Sequence, residues 1–208
     1  MYKAIKWIGD RILALMGIII LSPLLLIVTL LVLCDGQGKP VFRQDRVGKD
    51  KKIFGMYKFR TMKKVDVAFD VDHAVIEAGN QNVTKVGRVI RRLKIDELLQ
   101  LVNVLKGEMS LVGPRPLKPE YLETYEAWEM HKHDVKPGMT GLAQVRGNGY
   151  LSGKDRSYYD VYYARHVHLW TDIKILFATV AVILVGEKKR LKPVPPEKMQ
   201  ALLAELDK

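Results

Sequence analysis

The stretch from residue 12 to residue 34 most restricts what this chain can fold into, because its 23 residues carry no charge. About 20 apolar residues are enough for a helix to cross the hydrocarbon core of a bilayer. Basic residues precede the stretch, so a secretory signal peptide is the alternative interpretation. The stretch is longer than the usual core of a signal peptide and no Ala-x-Ala-like cleavage site follows it. We therefore favour a membrane segment.

A Ser22-Pro23 pair stands in the middle of this segment. Proline removes a backbone donor and kinks a helix, and a serine hydroxyl can bond the carbonyl that is left free. Both flanks are basic, with Lys6 and Arg11 before the segment and ten Lys or Arg residues between positions 39 and 64. Basic flanks prefer the cytoplasmic side. We predict a re-entrant helix that dips into one leaflet and returns; a plain span is the alternative.

A second apolar stretch, residues 175–186, is too short to span a bilayer and predicts a core helix or an interfacial one. The basic residues that follow it, Lys188, Lys189, Arg190 and Lys192, could rest on anionic headgroups. The remaining pattern predicts a hairpin over residues 40–62 with its turn near 47–50. It predicts helices over 96–106, 119–132, 157–185 and 197–206. Between them it predicts a loop over 65–83, a non-helical stretch at 113–116 and a turn over 136–141.

The net charge of +11 predicts an anionic partner, which could be a nucleic acid, a phosphate-bearing substrate or a membrane surface. Length suits one domain, or one domain with an appendage. The single cysteine, Cys34, excludes an internal disulfide and a zinc site built from several cysteines. No P-loop, dinucleotide-binding or zinc-protease motif occurs.

The Asp96-Glu97 pair is the strongest candidate for chemistry. Acids in the first turn of a helix often do no more than favour its dipole. Here Arg88, Arg91, Arg92 and Lys94 precede the pair, and Arg115 follows between two prolines. A carboxylate among cations stays ionised, so it can act as a nucleophile or hold a metal, and paired carboxylates with Mg²⁺ commonly handle phosphates.

Two other functions use different residues. Asp70-Val71-Asp72 is a D-x-D pattern, found in metal-dependent glycosyltransferases that would release UDP. A membrane-anchored module whose basic face binds anionic lipid or RNA would also explain the charge, but no nucleic-acid recognition motif supports it. The paired histidines, His131 with His133 and His166 with His168, are spaced by two residues, which places their side chains apart on a helix, so we do not assign them a metal.

Several short fragments form a specific pattern by their order and spacing. They are Ser22-Pro23, Phe42-Arg43-Gln44 with Arg46 and Gly48, residues 57–62 (YKFRTM), residues 84–88 (TKVGR) with Arg91, residues 95–98 (IDEL) with Gln100, residues 103–116 (NVLKGEMSLVGPRP) and residues 136–145 (KPGMTGLAQV). Taken together, they resemble the bacterial sugar transferase family, specifically its small monotopic phosphoglycosyl transferases. The resemblance covers nearly the whole chain.

The resemblance implies a mainly helical α+β fold: a re-entrant membrane helix kinked at Ser22-Pro23 over residues 1–36, then a catalytic domain over 37–208 with amphipathic interfacial helices and a small mixed α/β active-site region. It also implies transfer of a sugar-1-phosphate from a UDP-sugar to undecaprenyl or another polyprenyl phosphate with release of UMP. That reaction would begin bacterial glycoconjugate assembly on the cytoplasmic face of the inner membrane. The partners expected are these two substrates and anionic phospholipid, not nucleic acid, for a monomer or homodimer.

By the same resemblance, Asp96 is the nucleophile that forms a phosphosugar-aspartyl intermediate. Glu97 assists by binding Mg²⁺ with Asp96 or by accepting a proton. We assign substrate phosphates to Arg115, Arg91, Arg88, Lys58 and Arg60, and the nucleotide-sugar region to Lys136, Pro137, Gly138, Thr140, Gln144 and Arg146. The chain departs from the family pattern at Leu99, where many members have proline, and over residues 146–153, so the sugar is not carried over.

Overall fold

The computed structural model describes residues 2–35, 38–63 and 82–206. Its first element, α1 (Tyr2–Cys34), is a helix of 33 residues with Pro23 inside it. Pro23 has no N–H to donate to the carbonyl of Ile19, four residues earlier. The Ser22 hydroxyl donates to that carbonyl instead, at 2.8 Å. The predicted repair of the backbone by serine is therefore confirmed.

One stripe of α1 packs against the rest of the chain along nearly the whole helix. Near its start, Tyr2 and Lys6 reach Asp172. In the middle, Ala14 is fully buried in a cluster with Leu101 and Val104, and near the end Val28 and Val32 are buried with Phe59 and Ile90. With Asp10, Ile18, Leu21 and Leu25 between them, the contacting positions recur every three or four residues, which is the spacing of one helix face. The helix therefore shares its hydrophobic core with the remainder of the fold.

The hairpin predicted over residues 40–62 is confirmed. Strand β1 (Val41–Val47) pairs antiparallel with β2 (Ile53–Phe59), with Val41 opposite Phe59 and Val47 opposite Ile53, and a turn at Lys49–Lys51 joins them. The side chain of Asn103, which is fully buried, accepts from the Tyr57 amide at 3.0 Å and donates to the Gly55 carbonyl at 2.9 Å. This amide fixes the hairpin to the helix that carries Asn103.

That helix begins later than the sequence pattern predicts. Helix α2 (Lys85–Arg92) is followed by Lys94 in the left-handed conformation, at φ 57°, then by a 3₁₀ turn at Ile95–Glu97, and α3 spans Gln100–Lys106. The predicted helix over 96–106 is wrong at its start, because hydrogen bonds between residues three apart continue through Leu98 and Leu101. Asp96 and Glu97 thus lie in a tight turn before the helix.

A second small sheet replaces the turn predicted over residues 136–141. Strand β3 (Ser110–Val112) pairs in parallel with β4 (Gly138–Thr140). A Cβ on Gly138 would stand 2.0 Å from the Gly113 nitrogen, so the two backbones approach as closely as only glycine permits. The glycines that suggested a turn are needed for this close strand contact.

The remainder of the described chain is helical, with two corrections. The predicted helix over 119–132 is two 3₁₀ segments, Pro119–Thr124 and Ala127–Asp134, because Tyr125 between them is extended. The predicted helix over 157–185 is divided into α5 (Gly153–Arg165) and α6 (Leu169–Val185), since the backbone at His168 is extended. Short α4 (Leu142–Val145) precedes them, and α7 (Pro196–Leu206) confirms the predicted terminal helix. The mainly helical prediction holds.

Candidate active site

A small polar cleft lies where the hairpin, the turn before α3 and the β3–β4 sheet meet. We call it the Glu97 cleft; it is lined by Arg46, Met56, Lys58, Glu97, Gln100, Arg115, Pro116 and Gly138. Three of these side chains are basic and one is acidic. The cleft therefore carries an excess of positive charge, which is the electrostatic character expected of a site for an anion.

The Glu97 carboxylate lies at the centre of these charges. Its Oε1 accepts from Lys58 Nζ at 2.9 Å and from Arg115 Nη2 at 3.2 Å. Burial alone would raise the pKa of Glu97, but the charges of Arg115 and Lys58 outweigh burial and hold that pKa well below its ordinary value. Glu97 is consequently ionised at every physiological pH.

Asp96 differs from its neighbour. It is only 8% exposed, and burial raises the pKa of its carboxyl above the ordinary value. The negative charge of Glu97 raises this pKa further, whereas nearby cations, Lys58 first among them, lower it in part. Within the described residues, no side chain donates a hydrogen bond to the Asp96 carboxylate. Two adjacent carboxylates whose environments move their pKa values in opposite directions are suited to different chemical roles.

The fold holds the basic residues around this pair. Lys58 comes from β2, whose register is fixed by the hairpin. Arg115 stands in the stretch after β3, where the Gly113 amide donates to the Thr140 carbonyl and the Gly138 amide donates to the Pro114 carbonyl. These two backbone bonds tie the residues immediately before Arg115 to β4. Arg115 is thus presented to Glu97 by backbone that has little freedom to move.

The structure places the five predicted phosphate ligands at different distances from the pair. Lys58 and Arg115 bond Glu97 directly, and the charge of Arg91 acts on the pKa of Asp96. Arg88 is exposed on α2. Arg60 donates through Nε to the Lys39 carbonyl and lies over the Phe42 ring. The last two are therefore outside the Glu97 cleft.

Of the six residues predicted to bind the nucleotide sugar, only one lines the Glu97 cleft of the described residues. Gly138 lines the Glu97 cleft. The other members have partners elsewhere: the ammonium of Lys136 lies over the Trp7 ring, Thr140 bonds Thr179, and Gln144 donates to the Met139 carbonyl. The remaining two accept backbone hydrogen bonds through their carbonyls: Pro137 accepts from the Ser110 amide, and Arg146 accepts from the Lys192 amide.

Four residues that line the cleft were not among the predicted site residues: the polar Arg46 and Gln100, and the apolar Met56 and Pro116. The hairpin pattern contained a signal for Arg46. Alternate residues of a strand share a face, so Phe42, Gln44 and Arg46 lie together on the less exposed face of β1. A lone arginine on the buried face of a strand is unusual enough to be inspected as a ligand. The Asp70 and Asp72 pair lies outside the described residues.

Two apolar surfaces are exposed. By length and composition alone, residues 5–34 of α1 could cross a membrane. Its outward side chains include Trp7, Ile12, Ile20 and Leu30. Helix α6 also exposes large apolar side chains, namely Trp170, Phe177 and Leu184, whereas Asp172, Ile175 and Val182 on its inner face are buried. Exposed apolar faces of this size favour contact with lipid or with another protein.

A sequence model described as the bacterial sugar transferase family matches residues 1–186. The chain belongs to this family. It is 39% identical over 192 residues to the UDP-N-acetylgalactosamine-undecaprenyl-phosphate N-acetylgalactosaminephosphotransferase of Aeromonas hydrophila, a match that covers 89% of this chain and 45% of that protein. It is 40% identical over 195 residues to the undecaprenyl-phosphate galactose phosphotransferase of Salmonella typhimurium, covering 88% of this chain and 41% of that protein.

A shorter relative is matched over most of its length. The uncharacterized sugar transferase EpsL of Bacillus subtilis is 45% identical over 151 residues, which are 72% of this chain and 73% of that protein. By contrast, this chain spans less than half the length of the Aeromonas and Salmonella relatives.

Proposed function

We propose that this chain is a membrane-bound phosphoglycosyl transferase. It would transfer a sugar-1-phosphate from a UDP-sugar to undecaprenyl phosphate and release UMP, as the first membrane step of bacterial glycoconjugate assembly. The observation that supports this most directly is the pairing of Glu97 with Lys58 and Arg115 beside the buried Asp96. The printed names of the relatives support the substrate classes, and they differ in the sugar.

The first half of the reaction uses Asp96 as the nucleophile. A carboxylate oxygen attacks the β-phosphorus of the UDP-sugar, the bond from that phosphorus to the bridging oxygen breaks, and UMP leaves with the bonding electrons. In the second half, an oxygen of undecaprenyl phosphate attacks the same phosphorus and releases the Asp96 carboxylate. No side-chain donor of the described residues competes for the Asp96 carboxylate. Burial raises the pKa of Asp96, so its carboxylate, once ionised, is a stronger base than an ordinary aspartate.

Glu97 is better suited to holding charge than to accepting a proton. A general base works best when its pKa lies near the working pH. The pKa of Glu97 is depressed by Arg115 and Lys58, so its carboxylate is a weak base. Of the two roles expected of it, we therefore favour binding Mg²⁺ with Asp96 over accepting a proton. Glu97 also holds the two cations in place for the phosphates of the substrates.

Magnesium fits the donor set. Mg²⁺ usually binds one or two carboxylates together with substrate phosphates rather than an all-protein cage. Within the described residues there is no group of three or more His, Cys, Asp or Glu that could hold a metal ion. Asp96 and Glu97 would hold the ion, and bound Mg²⁺ would neutralise charge that develops on the phosphate oxygens.

Helix α1 would lie in one leaflet, close to the body of the protein, and α6 would rest at the lipid surface on the cytoplasmic side. A straight helix of 33 residues is about 50 Å long. Because its inner stripe contacts the body from Tyr2 to Val32, a perpendicular span would carry the body into the hydrocarbon as well. A re-entrant helix bent near Pro23 avoids this cost and keeps both basic flanks on the cytoplasmic side.

The decisive test of the function is the nucleotide released. The full chain is purified in detergent with Mg²⁺ and undecaprenyl phosphate and is offered UDP-glucose, UDP-galactose and UDP-N-acetylgalactosamine in turn. We expect UMP from at least one donor. Release of UDP instead would favour glycosyl transfer and the Asp70 and Asp72 pair, and would contradict the proposal.

The topology is tested with cysteines at both ends of α1, Ile5→Cys or Lys39→Cys, each in a Cys34→Ser background. A membrane-impermeant thiol reagent is applied to inside-out and right-side-out vesicles. We expect both positions to react only in inside-out vesicles. Adding Pro23→Ala should straighten the helix and expose one position to the other side; unchanged labelling would show that Pro23 does not set the topology.

A further inference from the structure

Arg46 is the one cation of the Glu97 cleft whose guanidinium has no carboxylate partner among the described residues. Lys58 and Arg115 both bond Glu97. Arg46 instead donates through Nη2 to the neutral side chain of Gln44, at 2.6 Å. Its Nε is buried, and no hydrogen-bond partner for it lies within residues 2–35, 38–63 and 82–206. A buried N–H group without a partner costs free energy, so it calls for an explanation.

The backbone holds Arg46 in this position. Gln44 and Arg46 are two residues apart on β1 and so lie on the same face of the strand. The next residue, Val47, donates its amide to the Leu117 carbonyl at 2.9 Å. This bond ties the end of β1 to the stretch that carries Arg115. The two arginines are therefore brought to one cleft by main-chain geometry.

Two guanidinium groups in one partly buried cleft repel each other. Burial lowers the pKa of Arg46 to about 10, and the charge of Arg115 contributes to this lowering. The charge of Glu97 offsets this lowering only in part, so the arrangement becomes more favourable once a further anion lies between the two groups. The planar fork of arginine matches the oxygens of a phosphate or a carboxylate, and phosphates are what the proposed reaction brings to the cleft.

We propose that Arg46 is a substrate-binding residue that holds a phosphate group in the Glu97 cleft, together with Arg115. The proposal rests on the proposed function, and it adds a ligand that neither the sequence pattern nor the family comparison assigns. The phosphate could come from the diphosphate of the sugar donor or from the monophosphate of the lipid acceptor. The chemistry is the same in both cases: the guanidinium of Arg46, which lines the cleft, donates to a phosphate oxygen.

Steady-state kinetics of UMP release distinguish the two sources. Arg46→Gln and Arg46→Lys are compared with the unmodified protein, varying the UDP-sugar at saturating undecaprenyl phosphate and then the reverse. A rise of about tenfold or more in the KM for the donor assigns the donor phosphate, and the same rise in the KM for the acceptor assigns the acceptor phosphate. Arg46→Lys keeps the positive charge but loses the planar guanidinium group that can donate two hydrogen bonds to a phosphate. We therefore expect a smaller rise in KM for Arg46→Lys than for Arg46→Gln.

Arg43→Gln is the matched control. Arg43 lies three residues earlier on the exposed face of β1 and its loss removes the same charge from the hairpin. We expect unchanged KM values. If Arg46→Gln and Arg46→Lys change neither KM although both are folded, Arg46 is structural and the proposal is wrong. If Arg46→Gln does not fold, the Arg46→Lys comparison decides.

A binding measurement separates this proposal from the proposed function. Wild-type protein and the variants are titrated with UMP and, separately, with inorganic phosphate, and the thermal unfolding midpoint is followed. We expect both anions to stabilise the wild type and Arg43→Gln, and to stabilise Arg46→Gln clearly less. Equal stabilisation of all three would overturn the role of Arg46, whether or not the wild type releases UMP.

Discussion

The Glu97 cleft and the polar cluster at the start of α1 are both built from acids buried among basic or hydroxyl side chains, yet their hydrogen bonding is opposite. In the second cluster, which we call the Asp172 cluster (Tyr2, Lys6, Asp10, Ser110, Tyr163 and Asp172), the Asp172 carboxylate is 5% exposed. It accepts from Tyr2 and Tyr163 at 2.6 Å each, and Lys6 lies 2.8 Å away. Ser110 donates to Asp10 at 2.5 Å.

Within the described residues, the Asp172 cluster has no buried side-chain nitrogen or oxygen without a hydrogen-bond partner, whereas Arg46 in the Glu97 cleft and Arg91 close to Asp96 each have one. A completed network stabilises and orients the elements that it joins. An incomplete network with surplus cations is costly until a ligand completes it. The comparison teaches that burial and ion pairing do not mark a functional site by themselves. What distinguishes the Glu97 cleft from the Asp172 cluster is an unsatisfied donor together with surplus cations.

The largest expected effect is the loss of turnover in Asp96→Asn. Removing a nucleophile should reduce UMP release by about a thousandfold or more. Stability should be maintained or raised, because the raised pKa means that ionised Asp96 destabilises the fold above the pKa of an ordinary aspartate. The measurements are UMP release and the thermal unfolding midpoint.

Asp45→Asn is the control for this prediction, since Asp45 is exposed on β1. It should change neither quantity. Substantial turnover by Asp96→Asn would exclude Asp96 as the nucleophile.

In the Asp172 cluster we expect a substitution to lower stability and to leave activity unchanged. Asp172→Ala leaves Lys6 buried with fewer acidic partners and removes the acceptor of two tyrosine hydroxyls, which should lower the free energy of unfolding by about 3 kcal/mol. Activity per folded molecule should be unchanged. The check is urea unfolding in detergent, alongside UMP release, with the exposed Glu123→Ala as the control. A large loss of activity at unchanged stability would show that the two clusters do not divide structure from function.

The smallest effect is a shift in pH dependence. Asp96 must be ionised to attack, so turnover falls as pH decreases through its pKa. The charge of Lys58 lowers that pKa. Lys58→Gln should therefore move the acidic limb of the kcat/KM profile to higher pH, by about one unit. Lys52→Gln, an exposed lysine in the hairpin turn, should leave the limb in place. If the acidic limb of the kcat/KM profile does not move in Lys58→Gln, the limb reports the titration of a group other than Asp96.

Local patterns in the sequence predicted local structure well. Alternation of polar and apolar residues predicted the hairpin, and the Ser22-Pro23 pair predicted the hydroxyl bond to Ile19. The residues of the Glu97 cleft were only partly predicted, because the cleft joins positions 46, 58, 97 and 115 by contacts between distant parts of the chain. The strand at Gly138–Thr140 was missed because its pairing also depends on a distant part of the chain. It requires the close approach of Gly113, and no residue next to the strand in the sequence indicates that partner.

The contact between Tyr2 and Asp172 joins residues 170 positions apart. At ribosomal rates of about 5–20 residues per second, roughly 10–30 s separate the synthesis of the two. During that interval the apolar α1 exists without the partners that cover its inner stripe. In the membrane-bound arrangement that we propose, lipid would receive the helix first, and the body would then fold against a surface that is already in the membrane.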